Sequence, residues 1–142
     1  MTCKILLPVD GSEGSLHAAR HVANIASLIK ALEVHLVNVQ PPGDDWMVRR
    51  MIHAEELATM EKGWAEMAIS PARDILRAAN IPCIEHFMQG EVAQSIARLA
   101  QELGCDQIVM GTRGLSALSE LLLGSVATKV LHLVNIPVTL VK

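Results

Sequence analysis

Aromatic side chains are nearly missing from this chain. Of 142 residues only Phe87, Trp46 and Trp64 are aromatic, 2% of the total, and there is no tyrosine. Proteins that hold single-stranded nucleic acid stack bases on rings along a basic groove. Here rings are few, and 12 Lys+Arg against 15 Asp+Glu leave a formal charge of −3, so no nucleic-acid partner is expected. Cysteine is scarce as well: Cys3, Cys83 and Cys105 are an odd number without a C-x-x-C pair. They imply neither a disulfide framework nor a zinc knuckle and read as buried, reduced thiols. Long apolar runs are also lacking, although 51% of the residues are hydrophobic. The uncharged stretch Val130–Val141 is too short to span a bilayer and contains His132, Asn135 and Pro137. The apolar run within Lys4–Asp10 is too short for the core of a secretory leader. The expectation is a soluble cytoplasmic protein with no membrane partner.

Metal and triad chemistry find little support. His17 and His21 are spaced i, i+4 but no third ligand is in sight, and His35, His53, His86 and His132 are scattered singly. No metal site and no Ser-His-Asp set is expected.

Five short runs rich in Val, Ile and Leu are present. Ile5–Val9, Val34–Val39, Gln107–Met110 and Val138–Val141 are nearly continuous, as in parallel strands covered on both faces. Ile81–Met88 alternates more and reads as an edge strand. Between them lie helical stripes: Leu16, Ala19, Ala23, Ala26 and Ile29; Val92, Ile96, Leu99/Ala100 and Leu103; Val126, Val130 and Leu133/Val134. Ser12 suits the N-cap of the first helix and Gly104 the C-terminus of the next-to-last. The stretch Asp45–Asn80 is helix-prone, with a kink or fresh start expected at Ser70-Pro71 and the methionines at 47, 51, 60 and 67 read as packing. Strands alternating with helices imply one domain over 1–142: an open, doubly wound, five-stranded parallel α/β sheet with helices on both faces.

In such a sheet ligands bind beyond the carboxyl ends of the strands, where the strand order reverses. Two loops there are chemically distinctive. The first is Asp10-Gly11-Ser12-Glu13-Gly14-Ser15. The second, after Met110, carries Gly111, Gly114 and Gly124 followed by Ser125, a G-x2-G-x9-G-S spacing. Gly124-Ser125 precedes a helix, whose first amides and the serine hydroxyl suit a phosphate. Charge-assisted hydrogen bonds of roughly 1.5–3 kcal/mol each would hold it without many lysines, and Arg113 adds a bidentate donor. Structurally the same glycines could simply turn the chain. Neither a P-loop nor a dinucleotide G-x-G-x-x-G is present. Asp10 either contacts a nucleotide's sugar, base or phosphate-borne metal, or caps the helix beside Ser12.

With these segments in view, the chain resembles the universal stress proteins. The resemblance runs through Lys4-Ile-Leu-Leu-Pro-Val-Asp-Gly-Ser, Leu36-Val-Asn-Val-Gln-Pro, Gly90-Glu-Val-Ala, Asp106-Gln-Ile-Val-Met-Gly-Thr-Arg-Gly, Gly124-Ser-Val-Ala-Thr-Lys-Val-Leu and Ile136-Pro-Val-Thr-Leu-Val. The glycine spacing resembles the ATP-binding branch of that family. The resemblance implies a Rossmann-like fold of the adenine nucleotide alpha-hydrolase type. It implies a pocket with Pro8, Val9 and Asp10 at the first strand's end and Val39 offering backbone edges to adenine. Met110, Gly111, Arg113 and Gly114 would flank ribose and phosphates, and Gly124, Ser125 and Val126 would hold the phosphates. Mg2+ would ride on the phosphates with Asp10 nearby. One departure stands out: Ala127 occupies a position that often carries a hydroxyl in ATP-binding members, which leaves room for AMP or ADP. The family also implies a homodimer through the last strand, Val138, Thr139, Leu140 and Val141.

The function expected is therefore an adenine-nucleotide-binding regulatory protein of the stress response. Its competitors are a slow ATPase and a nucleotide-independent dimeric scaffold. With so few rings, the adenine would sit among Val9, Val39 and Met110, Trp46 in the Gly43–Trp46 loop being the one possible exception. A Gly124→Asp substitution is expected to remove nucleotide and spare the fold.

Overall fold

The computed structural model describes residues 1–42, 51–113 and 123–142. Among them the chain forms β1 (Cys3–Pro8), α1 (Glu13–Ile25), β2 (Leu32–Gln40), α2 (Ala54–Ala78), β3 (Cys83–Gln89), α3 (Val92–Leu103), β4 (Gln107–Gly111), α4 (Ser125–Leu133) and β5 (Val138–Val141). The strands make one parallel sheet in the order β3-β2-β1-β4-β5. Strand order reverses between β1 and β4. The cleft above their carboxyl ends is where ligands of such sheets bind.

Side-chain alternation splits the core in two. Ile5, Leu7, Val34, Leu36 and Val109 meet Ala18, Val22, Ile69 and Leu76 of α1 and α2. On the other face Leu6, Val37, Ile108 and Met110 meet Ile96, Leu99, Ala127 and Val130 of α3 and α4. Each face is closed by its own helix pair, which is why the central strands read as unbroken apolar runs. Among the described residues, no helix is long and apolar enough to cross a membrane.

The local signals behave as their chemistry requires. Ser12 caps α1, its hydroxyl accepting from the Ser15 amide at 3.3 Å. Gly104 ends α3 in the left-handed conformation, with φ +64°, which only glycine adopts without penalty. The edge strand expected at residues 81–88 is β3.

Several expectations need correction. No fresh helix starts at Ser70-Pro71; α2 runs through Pro71. Proline there removes one helical hydrogen bond, to the Met67 carbonyl. Ala65 and Ile69 before it and Ala72 and Leu76 after it are all buried, so packing pins both halves. Three of the four methionines read as packing are not: Met51, Met60 and Met67 are exposed, the last 73% exposed, because the buried face of α2 is Ala65, Ile69, Ala72 and Leu76. Met47 lies outside the described residues. The buried face of α1 is Ser15, Ala18, Ala19 and Val22, rotated from the expected stripe, and α1 gives way to a 3-10 turn at Ala26–Leu28. Of the cysteines only Cys105 is fully buried; burial pushes the Cys83 and Cys105 thiols up from their ordinary range. His35 and His86 are not solitary, since their rings are hydrogen-bonded to each other.

Candidate functional site

The end of β1 is held from two sides. The Val9 amide donates to the Val37 carbonyl at 2.8 Å, the last rung between β1 and β2. The Val9 carbonyl accepts from Nδ2 of buried Asn38 at 2.9 Å. Val9 itself is 4% exposed and faces the α1 and α2 core. Both of its backbone groups are thus occupied, and it offers a ligand shape rather than hydrogen bonds. Pro8, half-buried, is the last β1 residue and pairs with Val37.

β2 runs on past this end to Gln40. Backbone groups of successive residues point to opposite neighbours. The Val37 carbonyl points at β1 and the Gln40 carbonyl accepts from Gly90 beyond β3. By the same alternation the amide and carbonyl of Val39 face the β1 side, above the end of β1. That edge can read a planar base. The Val39 side chain shares the α3 and α4 face with Met110, which is 6% exposed, whereas Val9 points to the opposite face. The three apolar side chains therefore do not form one pocket wall.

Asp10 turns the chain into α1. Its Oδ1 accepts from the Ser12 amide at 2.9 Å and from Ser15 Oγ at 2.7 Å, and its own amide donates to Ser15 Oγ at 3.0 Å. Asp10 thus braces the start of α1 through Ser12 and Ser15, while Ser12 itself is the cap. Oδ2 takes part in none of these bonds.

The two loops meet backbone to backbone. A Cβ on Gly14 would collide with the Arg113 carbonyl oxygen, and one on Gly111 would stand 2.7 Å from the Gly14 carbonyl carbon. Gly14, in the first of the two loops, is thus essential to the approach. Gly111 has a packing reason to be glycine independent of any ligand.

The second loop closes on itself at its base. The Thr112 amide donates to the Val141 carbonyl at 3.0 Å, and the Gly124 amide donates to the Thr112 carbonyl at 2.6 Å. Gly124 is the N-cap of α4, so its amide serves the loop and not a phosphate. The donors facing outward are those of the first turn, beginning with Ser125 and Val126, which have no intrahelical partner. Ser125 is exposed and Val126 half-buried. Ala127 is buried against Ile96 and Val130, so a hydroxyl there would enter the core, while Thr128 uses its hydroxyl on the Gly124 carbonyl at 3.0 Å. Arg113 is half-buried at the loop's start. Gly114 and Trp46 lie outside the described residues.

Groups of the kinds an adenine nucleotide uses lie near the reversal of strand order: the Val39 backbone edge, the Asp10 carboxylate, Arg113 and the start of α4. Among the described residues no group of three or more His, Cys, Asp or Glu is arranged to hold a metal by itself. A second cavity of about 570 Å3 lies under α2 at the ends of β2 and β3, lined by Asn38, Gln40, Ala65, Phe87 and Gln89 among others. It depends on strand register and had no sequence signal.

A model described as the universal stress protein family matches residues 1–142. The universal stress protein MJ0531 of Methanocaldococcus jannaschii is 32% identical, over 98% of this chain and 81% of its own length. The solved structure of hypothetical protein MJ0577, of the same organism, is 32% identical and covers 100% of this chain and 96% of that one, with a TM-score of 0.85. A universal stress protein solved in complex with cAMP is 25% identical over 99% of this chain and 97% of that one, with a TM-score of 0.71.

Proposed function

The chain belongs to the universal stress protein family, and from that premise we propose that it binds an adenine nucleotide and acts as a regulatory homodimer in the cytoplasm. The nucleotide is ATP, carrying Mg2+ on its phosphates, as in the ATP-binding branch of the family. The observation that carries this reading is the backbone contact between Gly14 and Gly111. It sets the Asp10 turn against the end of β4, while the Val9–Val37 rung and the Gly124–Thr112 bond tie β2 and the start of α4 to the same end of the sheet.

Each residue has a stated task. Val39 offers its amide and carbonyl to the adenine edge. Asp10 Oδ2 meets the ribose or the cation. Arg113, Ser125 and Val126 hold the phosphates, with Gly114 expected beside them. Pro8, Val9, Met110 and Gly111 shape the floor, and Gly124 closes the loop onto Thr112. A relative solved with cAMP supports adenine as the base this cleft accommodates.

Phosphoryl transfer at speed requires a positioned base and strong charge stabilisation. The charged groups assigned to the cleft are Asp10 and Arg113, and one Asp10 oxygen is already spent on Ser12 and Ser15. Binding, not turnover, is the function this donor set favours. β5 is a sheet edge, with β4 as its partner in the sheet. Its uncharged run Val138–Val141 is a template for pairing with a second copy. Light scattering at micromolar concentration tests the dimer, and phosphate release tests turnover. Dimers with release well below about 1 s⁻¹ agree with the proposal; monomers or ordinary enzyme rates contradict it.

A further inference from the structure

Glu33, His35 and His86 form a hydrogen-bonded chain that the nucleotide cleft does not use. Glu33 and His35 lie on the sheet face of Val37, and the register places His86 beside Val37, diagonally across from His35. His35 is 3% exposed. Its Nε2 stands 2.7 Å from Glu33 Oε1 and its Nδ1 2.9 Å from His86 Nε2. An ionised carboxylate only accepts, so His35 Nε2 carries a proton and donates it to Glu33. The contact between His35 Nδ1 and His86 Nε2 then needs one proton between two nitrogens. It is satisfied when both rings are neutral or when one is charged. With both charged, two N–H groups point at each other and the bond is lost.

We propose that this chain is a proton-operated latch between β2 and the edge strand β3, closed with up to one imidazole charged and opened by the second proton. The surroundings oppose that second charge. On β1, Lys4 Nζ stands 3.9 Å from Glu33 Oε1, bringing a further cation and sharing the one carboxylate that touches the histidines among the described residues. On β3, Glu85 turns to the opposite face and pairs with Arg73 of α2. On α3, Arg98 and Glu102 pair with each other in solvent. At the start of β4, Asp106 accepts from the Lys4 amide, and the buried Cys105 thiol is neutral. Burial first, and the His35 charge second, hold the His86 imidazole below its ordinary range. β2 is the neighbour of β3 in the sheet, and Phe87, Met88 and Gln89 of β3 wall the second cavity. Opening the latch therefore loosens that edge and that cavity together.

The sign follows from linkage. An unfolded histidine titrates near 6.5, above folded His86, so below about that pH the unfolded chain binds more protons and stability falls. The test combines imidazole NMR of the full chain across pH 4.5–8 with urea unfolding and amide exchange of the parent and His86→Gln. Glutamine donates to His35 Nδ1 and does not titrate. The latch predicts His86 titrating below the ordinary range and faster intrinsic-corrected exchange in Cys83–Gln89 than in Gln107–Gly111 at pH 5. It also predicts that the parent's unfolding constant rises about tenfold more than the variant's between pH 7 and 5. His86 titrating near 6.5, or parent and variant tracking each other, would overturn it. Should the variant not fold, the parent's titration and exchange decide alone.

Discussion

Gly111 faces Gly14 so closely that a Cβ on Gly111 would stand 2.9 Å from both the Cα and the carbonyl oxygen of Gly14. The end of β4 and the first turn of α1 touch through bare backbone, and the proposed nucleotide cleft lies above that contact. Gly111→Ala or Gly14→Ala must push the two loops apart. Overpacking of this kind costs about 1–3 kcal/mol, which urea unfolding will measure, and nucleotide affinity should fall with it.

Asn38 ties the same cleft from below. Its Nδ2 donates to the Val9 carbonyl and its Oδ1 accepts from Gln40 Nε2 at 3.2 Å. Asn38→Leu fills the space but leaves the Val9 carbonyl unpartnered. The expected loss is about 1–3 kcal/mol, read from the urea midpoint with unchanged slope.

Much of this architecture was legible in the chain and some was not, for reasons that differ by residue. The runs at Ile5–Val9 and Gln107–Met110 announce buried parallel strands because both sheet faces carry helices. Ser12 and Gly104 are legible because capping is local chemistry. The contact of Gly14 with Gly111, the reach of Asn38 to Val9 and the meeting of His35 with His86 join residues about 29 to 97 positions apart along the sequence. They follow from register, which a linear reading lacks. Pro71 misled because its local cost is plain in the sequence while the burial of Ile69 and Ala72 around it is not.

One substitution at Asp10 separates its structural role from the ligand role proposed for it. Asp10→Asn keeps an acceptor for the Ser12 amide and Ser15 hydroxyl, so the melting temperature should move by only a few degrees. The lost charge should weaken ATP binding about tenfold, or ~1.4 kcal/mol. Equal binding by parent and variant would restrict Asp10 to capping.

Acid should destabilise the fold through two helix carboxylates. A hydrogen bond from Arg73 holds the Glu66 carboxyl below the usual range, and the Gln94 amide does the same for Glu91 at the start of α3. Folded values lie below unfolded ones, so this stability is present above about pH 4.3 and is lost as pH falls through the folded values. Glu91→Gln should flatten the decline of unfolding free energy between pH 5 and 3, as urea titrations at each pH will record.

The most direct test of the account is calorimetric titration of ATP, ADP and AMP into nucleotide-stripped protein, beside a Ser125→Asp variant. Gly124→Asp is the poorer variant, because a Cβ there would stand 3.0 Å from the Thr112 carbonyl oxygen and disturb the loop. Ser125 is exposed at the start of α4, where a carboxylate favours the helix dipole yet repels a phosphate. The account predicts saturable one-to-one binding of ATP by the parent, and a loss of at least about tenfold, ~1.4 kcal/mol, in a variant as stable as the parent. No heat with any of the three nucleotides, or equal binding by parent and variant, would contradict it.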